Sequence, residues 1–535
     1  MEEFDYIVVG AGSAGCVLAH DLSVSGNATV LVVEAGPSDR HPYVRIPLGY
    51  GLLYDNPTRN YRLHTQAEAN LAGRRLYVPR GRVVGGSGSI NAMVWCRGLP
   101  SDYADWARDG LTGWGWDDVA PVFDSLEARD DAAPGIRVTD PVALRHPFTR
   151  HFRDAARELR LPCDTDFNGN SPEGMGFYNI TTRKGQRDSS AQAFLRPAIA
   201  GGLVRLLTGA QVQKITVAGS RATGIAYSHR GKTCTAQARR GVVMAAGAIG
   251  TPQIMHLSGI GDGNALQSLG IATHLHNPNV GRHLQDHLAV GYAYRAHQPT
   301  LNAQLYSLPA KVRQTLRYFA MRQGPLANSV NQYGGFLRSA DDLAAPDQQL
   351  YLNPASYTIT RSSGGLNIQP DPFAGYSLSF QPTRPTSRGH IAVATPIPGT
   401  APDIVLNALS TAQDCHDVVV GARLLARFVQ TRTLQTVTDA PLDTCPARMT
   451  DAEILDDFRA RAGTVFHPCG TCRMGPNATG SVVDPRSMAV HGMEGLYVAD
   501  ASTFPSIPSG NINAPTLMVA RKGARLILQH NRGSL

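Results

Sequence analysis

The stretch from Asp5 to Gly36, DYIVVGAGSAGCVLAHDLSVSGNATVLVVEAG, constrains the fold of this chain more than any other. Tyr6 to Val9 is a short apolar run, and Gly10, Gly12 and Gly15 follow it in G-x-G-x-x-G spacing. Cys16, Val17, Leu18 and Leu22 then recur with helical periodicity, and a second apolar run, Thr29 to Val33, ends on Glu34. The pattern predicts strand, glycine turn, helix and strand, the opening unit of a dinucleotide-binding fold. Gly10 permits the tight turn, Gly12 lets backbone approach a pyrophosphate, and Gly15 lets the helix pack close to the strand. The helix N-terminus, with Ser13 and Ala14 in its first turn, offers unpaired N–H groups to an anion. Glu34 stands 24 residues after Gly10, placed to accept from ribose hydroxyls, with Ala35 behind it.

The rest of the chain has to complete that unit and add a second one, because 535 residues exceed one compact core. A hydrophobic content of 42% with 17% charged residues is that of an ordinary globular protein. No apolar run approaches the ~18 residues of a membrane span. The dinucleotide unit begins at residue 5, which leaves no room for a leader and predicts a cytoplasmic protein. The net charge is +8, with Lys only 5 of the 50 basic residues. The arginines are scattered, so no basic stripe of the kind that reads nucleic acid is present. Eight cysteines in this length fit a reducing compartment, and no metal-ligand cluster or Ser-His-Asp arrangement stands out.

Gly81 to Gly98, GRVVGGSGSINAMVWCRG, is too glycine-rich for a helix or strand interior and predicts a loop that brings backbone close to a ligand. Tyr103, Trp106, Trp114 and Trp116 form an aromatic cluster that reads as packing. Asp164 to Tyr178 reads as an irregular loop, and Gln211–Val217 with Ala222–Ser228 as a hairpin. Gly241 to Gly261 reads as a buried strand, a small-residue turn and a helix. Gln349–Leu352, Tyr376–Gln381 and His390–Val393 read as strands of the later part. Leu496 to Ala499 is a short buried strand ending in Asp500, and an apolar helix follows Asn511, Asn513 and Pro515.

Gly81–Gly98 resembles the first signature of the glucose–methanol–choline (GMC) oxidoreductases, and Gly247–Gly261, with Thr251, Pro252, Ser258 and Gly259, resembles the second. The resemblance spans nearly the whole chain and is nearest to the choline-dehydrogenase-like bacterial branch. It implies an α/β (overall α+β) fold, in which a Rossmann-like FAD-binding domain is interleaved with an antiparallel-sheet substrate domain. The expected division is 1–150, 195–300 and 455–535 for FAD, and 151–194 with 301–454 for substrate. The first signature implies flavin contacts by Val84, Gly86, Ser87, Asn91, Ala92, Met93 and Val94. Val212 matches a position that meets the adenine through its backbone. Ala246, Gly247, Asp500, Ala501, Asn511, Pro515 and Thr516 match further cofactor contacts. Ile90 stands where some members carry a histidine bonded to flavin, which predicts non-covalent FAD. Asn279–His287, NVGRHLQDH, resembles the segment that closes over the flavin, with Asp286 and His287 expected as structural hydrogen-bonders.

Oxidising an alcohol removes a proton from oxygen and a hydride from carbon. Flavin takes the hydride, and the protein supplies the base and the orientation. A histidine suits the base because its ordinary pKa lies near working pH. His467, in HPCGTCRMG, matches the family's catalytic position. Asn511 matches the partner that hydrogen-bonds the forming alkoxide, with Asn513 the second choice. Cys469 and Cys472 form a C-x-x-C without a second pair, which argues against structural zinc. Gln332, in NSVNQYGGF, replaces a glutamate usual in choline-dehydrogenase-like relatives. With Tyr333 and Phe466 as further substrate candidates, it predicts a neutral polar or aromatic alcohol over choline. Oxygen or another carrier takes the electrons. A hydroxynitrile-lyase-type enzyme and a flavoprotein without turnover are the alternatives.

Overall fold

The structure, a computed structural model, describes residues 2–362 and 365–533. The predicted opening unit forms as read: β1 (Glu2–Val9), α1 (Ser13–Val24) and β2 (Val30–Glu34). The inner half of β1 and all of β2 are buried, as near-continuous apolar runs demand of strands covered on both faces. Beyond β2 the sheet continues with β4 (Val204–Thr208), which β3 (Gly174–Phe177), a strand of the second sheet, precedes in the chain. On the other side lie β7 (Lys232–Met244), β6 (Arg221–His229) and β5 (Ala210–Ala218), giving the order β5-β6-β7-β1-β2-β4. β1 is parallel to β7 and to β2, with Tyr6 opposite both Gly241 and Val30. The hairpin expected at 211–228 is the antiparallel pair β5–β6.

The chain returns to this sheet at its far end. α2 (Gly247–Leu257) follows β7, and β13 (Leu496–Val498) adds in parallel to β7. The last helix, α5 (Asn513–Gly533), packs on α1. Leu18 and Leu22 of α1 and Val519 and Ile527 of α5 are buried in one core with both sheet halves. The buried pair Arg521–Asp21, Nε to Oδ2 at 3.0 Å, ties the two helices together.

The second sheet is antiparallel, in the order β12-β8-β11-β10-β9-β3. Its members are β8 (Leu288–Ala296), β9 (Tyr333–Leu337), β10 (Gln348–Asn353), β11 (Gly375–Pro382) and β12 (Thr438–Pro441), with β3 at one edge. Strand alternation divides its side chains between two faces. Tyr292, Leu350, Leu352 and Phe380 enter a core with Val418, Leu425 and Phe428 of the helix α4 (Ala412–Val429), which covers that face. Their neighbours Gly291, Tyr351, Asn353 and Ser379 point the other way, towards a cavity.

Two expectations are corrected and a third, a strand near 390, is given its place. Asp164–Tyr178 is not wholly irregular, because Gly174–Phe177 pairs with Tyr333–Phe336 as an edge strand; its glycines concealed it. The boundary at residue 300 is too late, since 288–296 is the strand β8 of the antiparallel sheet. The run expected at His390–Val393 is the strand Gly389–Ala392, in a separate small sheet with Arg282–Leu284 and Asp403–Val405. The tryptophan cluster is packing, as expected: Tyr103 meets Trp106 edge-on at 5.1 Å, and Trp106 lies 5.5 Å from Phe504.

Candidate active site

A cavity of ≈ 1160 Å³ runs between the two sheets, beyond the ~300–1,000 Å³ of usual small-molecule pockets. One wall is backbone. Gly10, Gly12, Ser13 and Ala14 line it at the start of α1, Gly247 at the start of α2, and Asn513 and Thr516 at the start of α5. Three helix N-termini therefore face one space, the arrangement that binds phosphate and other anions. Close approach explains the glycines. A Cβ on Gly15 would lie 1.9 Å from the Gly10 carbonyl oxygen, and one on Gly86 would lie 2.7 Å from the Gly12 Cα. The glycine-rich loop thus stacks backbone to backbone on the first turn, and Gly85 N–H donates to the Ala11 carbonyl at 2.7 Å. Ser13 Oγ donates to Asn513 Oδ1 at 2.8 Å, joining the beginning and end of the chain at the cavity.

Glu34 lies on the wall at the end of β2, where its carboxylate accepts from Ala11 N–H at 3.0 Å and Gly36 N–H at 2.8 Å. Burial pushes its pKa up to about 7 against those two bonds. Ala35 and Val212 complete this end. Asp500 caps α2, accepting from Gly247 N–H at 2.8 Å and Thr251 Oγ at 2.7 Å, and burial raises its pKa. Ala246 and Ala501 lie beside it on the wall. Ser87, Asn91, Ala92, Met93 and Val94 line the middle, together with Ile90. Asn91 does more than face the cavity: its Oδ1 accepts from Met93 N–H at 3.0 Å and from Arg187 Nη1 at 2.6 Å. The buried Arg187 guanidinium also donates to the Gly88 and Asn91 carbonyls and fixes the loop.

The opposite end is built from side chains. His467 and Asn511 are both on the wall, with Asn511 Nδ2 3.2 Å from His467 Nε2. Tyr351 of β10 donates its hydroxyl to Asn511 Oδ1 at 3.2 Å, so the substrate sheet orients that amide. Behind His467, Nδ1 lies 3.1 Å from His287 Nδ1, and His287 Nε2 lies 2.9 Å from the Thr383 carbonyl. A carbonyl only accepts, so His287 carries its proton on Nε2. Neutral His287 then accepts at Nδ1, which makes His467 Nδ1 the donor. His467 Nε2 is left as the unprotonated nitrogen, and its lone pair accepts from Asn511 Nδ2–H. Burial holds His287 neutral, with its pKa lowered to about 4. Burial, with His287 and Arg80 nearby, lowers the His467 pKa well below its ordinary value.

The loop carrying His467 is clamped on both sides. His467 N–H donates to Asp286 Oδ1 at 2.8 Å, and Arg80 Nη1 donates to the Phe466 carbonyl at 2.8 Å. Val465 N–H and the His287 carbonyl pair at 3.0 Å. The 279–287 segment therefore lies behind His467, and Asp286 and His287 stand off the cavity wall. Burial raises Asp286 to about 7.

Five other residues proposed for the site do not line the cavity. Gly15 and Pro515 act through close packing of α1 and in the buried first turn of α5. Val84 is buried in the first core. Gln332 turns away, its Oε1 accepting from His146 N–H at 2.8 Å, and Tyr333 is buried in the second core against Phe177. The reading of residue 332 as facing the substrate is thereby corrected: it precedes β9 and is buried, its side chain held by the His146 backbone. Phe466, in contrast, is on the wall. Cys469 and Cys472 are free, fully buried thiols with raised pKa values, in no state for thiol exchange. Among the described residues there is no cluster able to hold a metal ion.

Family models described as GMC oxidoreductase match residues 4–289 and 385–520. The chain is 34% identical to "Alcohol dehydrogenase [acceptor]" of Pseudomonas putida, over 98% of this chain and 96% of that one. It is 35% identical to "Oxygen-dependent choline dehydrogenase" of Vibrio vulnificus, over 98% and 94%. Pyridoxine 4-oxidase from Mesorbium loti superposes with a TM-score of 0.86 at 28% identity, covering 98% of this chain and 99% of that one. Matches over both halves of the chain, together with the site they enclose, establish that this protein belongs to the GMC oxidoreductase family.

Proposed function

We propose that the protein oxidises an alcohol to the aldehyde or ketone with FAD held non-covalently along the backbone wall. The residues present fit that group. Three helix N-termini and the Gly12–Gly86 cradle suit a diphosphate, Glu34 and Val212 suit the adenosine end, and the Asn91 loop suits the flavin ring. When bound, FAD supplies the hydride acceptor. Ile90 offers no nucleophile for a covalent bond, so acid precipitation releases the yellow colour into the supernatant.

The observation that carries the reading is the unprotonated Nε2 of His467 paired with the Asn511 Nδ2–H donor, on the wall opposite the glycine turns. An alcohol hydroxyl placed between them gives its proton to His467 Nε2. Asn511 Nδ2 donates to the alkoxide oxygen as charge develops, which lowers the barrier. Tyr351 holds the Asn511 amide and His287 the His467 imidazole, while Asp286 anchors the backbone that carries His467, as the carbon loses its hydride.

A neutral polar or aromatic alcohol fits better than choline, on grounds other than Gln332. Glu34 and Asp500 are the carboxylates on the described wall, and both are committed to backbone N–H groups. Arg80 and Lys311 are on the same wall. A buried quaternary ammonium would lack a counter-charge. Oxygen or another acceptor reoxidises the cofactor. The test is anaerobic mixing of holoenzyme with a panel of benzylic, aliphatic and polyol alcohols and choline. Bleaching of the flavin by neutral alcohols, faster than by choline, is the expected result. A spectrum unchanged by every alcohol contradicts the reaction, and fastest bleaching by choline contradicts the substrate class.

A further inference from the structure

The helix α3 (Leu308–Met321), between β8 and β9 in the chain, is built inside out. Its buried side chains are the polar Gln314 and Tyr318. Leu308, Val312, Leu316 and Phe319 are instead 74%, 50%, 66% and 59% exposed. At about 100° per residue these four fall within a stripe about 80° wide. A surface helix normally turns such a stripe to the core. Here it faces outwards, and Lys311, Arg313 and Arg317 flank it, all exposed. Residues 302–323 carry no Asp or Glu, and among the described residues no carboxylate pairs with those three cations.

The stripe adjoins the cavity. Lys311, Thr315 and Phe319, one edge of the helix, line it together with the exposed Leu52, Tyr357 and Ile359. Phe319 thus belongs both to the outward stripe and to the mouth of the cavity. An apolar stripe between cations is the pattern of a helix that lies in the headgroup region of an anionic bilayer. A second copy of this chain on the same face would set the same unpaired cations against each other, so self-association is disfavoured by charge.

We propose that α3 docks the enzyme on an anionic lipid surface and sets the cavity mouth against it, so that membrane-dissolved alcohols enter without crossing water. No helix among the described residues is long and apolar enough to span a membrane, so the attachment is peripheral. The docking rests on the helix alone; the delivery of an alcohol rests on the function proposed above.

Co-sedimentation of the full-length holoenzyme with vesicles separates these claims. Vesicles of phosphatidylglycerol and phosphatidylcholine are expected to pellet the protein, and pure phosphatidylcholine to leave most of it in solution. Salt weakens the binding, because the exposed charges are screened. Val312→Glu/Leu316→Glu, whose side chains do not line the cavity, is expected to abolish pelleting while a water-soluble alcohol is turned over as before. Arg313→Glu/Arg317→Glu is expected to reduce pelleting at least tenfold at low salt, and decides the matter if the first variant loses its FAD or its melting transition. The proposal is overturned if the holoenzyme does not pellet with anionic vesicles. It is also overturned if neither variant changes pelleting, or if light scattering finds a dimer that Val312→Glu/Leu316→Glu dissociates. Pelleting without alcohol oxidation would leave docking standing and overturn the reaction.

Discussion

The two ends of the cavity are made of different material. The cofactor wall is backbone: glycine turns and helix N-termini held by contacts that leave no space for a side chain. The end proposed for catalysis is side chain: His467, Asn511 and Tyr351, brought together from separate parts of the chain, with His287 on the imidazole and Asp286 and Arg80 on the backbone beside it. A backbone wall is fixed once the fold is made. A side-chain wall needs a second layer behind it, because an imidazole or an amide can rotate or change tautomer. The difference teaches which substitutions empty the site and which leave it full but slow.

The largest effect is expected on the backbone wall. Gly15→Val places a Cβ against the Gly10 carbonyl oxygen, where neither backbone can yield. The purified variant is expected to carry no flavin absorbance. A variant that kept full FAD content would break the distinction between the two walls.

The layer behind the base gives a smaller effect. His287→Leu removes the acceptor that holds the proton of His467 on Nδ1. One hydrogen bond worth ~1.4 kcal/mol corresponds to about tenfold in rate. Flavin reduction by alcohol is expected to slow by about that factor, with FAD content and KM little changed. An unchanged reduction rate would show that the tautomer does not depend on His287.

The smallest expected effect is an absence of change. In the proposed reaction the neutral form of His467 is the base, and its pKa is held below the ordinary value by burial first. Lowering pH through about 6.5 would halve the base form of an ordinary histidine. Here the pKa lies lower, so the base persists, and anaerobic flavin reduction is expected to hold constant from about pH 8 to about pH 6. A fall in rate centred near pH 6.5 would place the base in a more solvated setting than the one described.

The same contrast decides what could be read from sequence. The backbone wall was legible because its requirements are local: glycine spacing, an apolar run on each side, and an acid at the end of β2. Those rules placed Gly12, Ser13 and Glu34 on the wall without any knowledge of the fold. The side-chain end was legible only where a family pattern covers it, at His467 and Asn511. Tyr351 lay within a recognised strand, but which face it takes depends on its register with the two neighbouring strands. Gln332 failed because its partner, the backbone N–H of His146, is 186 residues away in the chain. Arg187 had no signal at all, because an isolated arginine acquires its meaning only when the glycine loop folds around it.

The claim at the centre of this account is that His467 does chemistry on a cofactor held by a wall to which it does not belong, the backbone wall at the other end of the cavity. His467→Ala, mixed anaerobically with alcohol in a stopped-flow instrument, tests it most directly. The variant is expected to hold FAD with an unchanged absorption spectrum and to reduce it about 10²–10⁴ times more slowly than the parent, the usual loss for a general base. Reduction at the parent rate, or a variant that arrives without FAD, would contradict it.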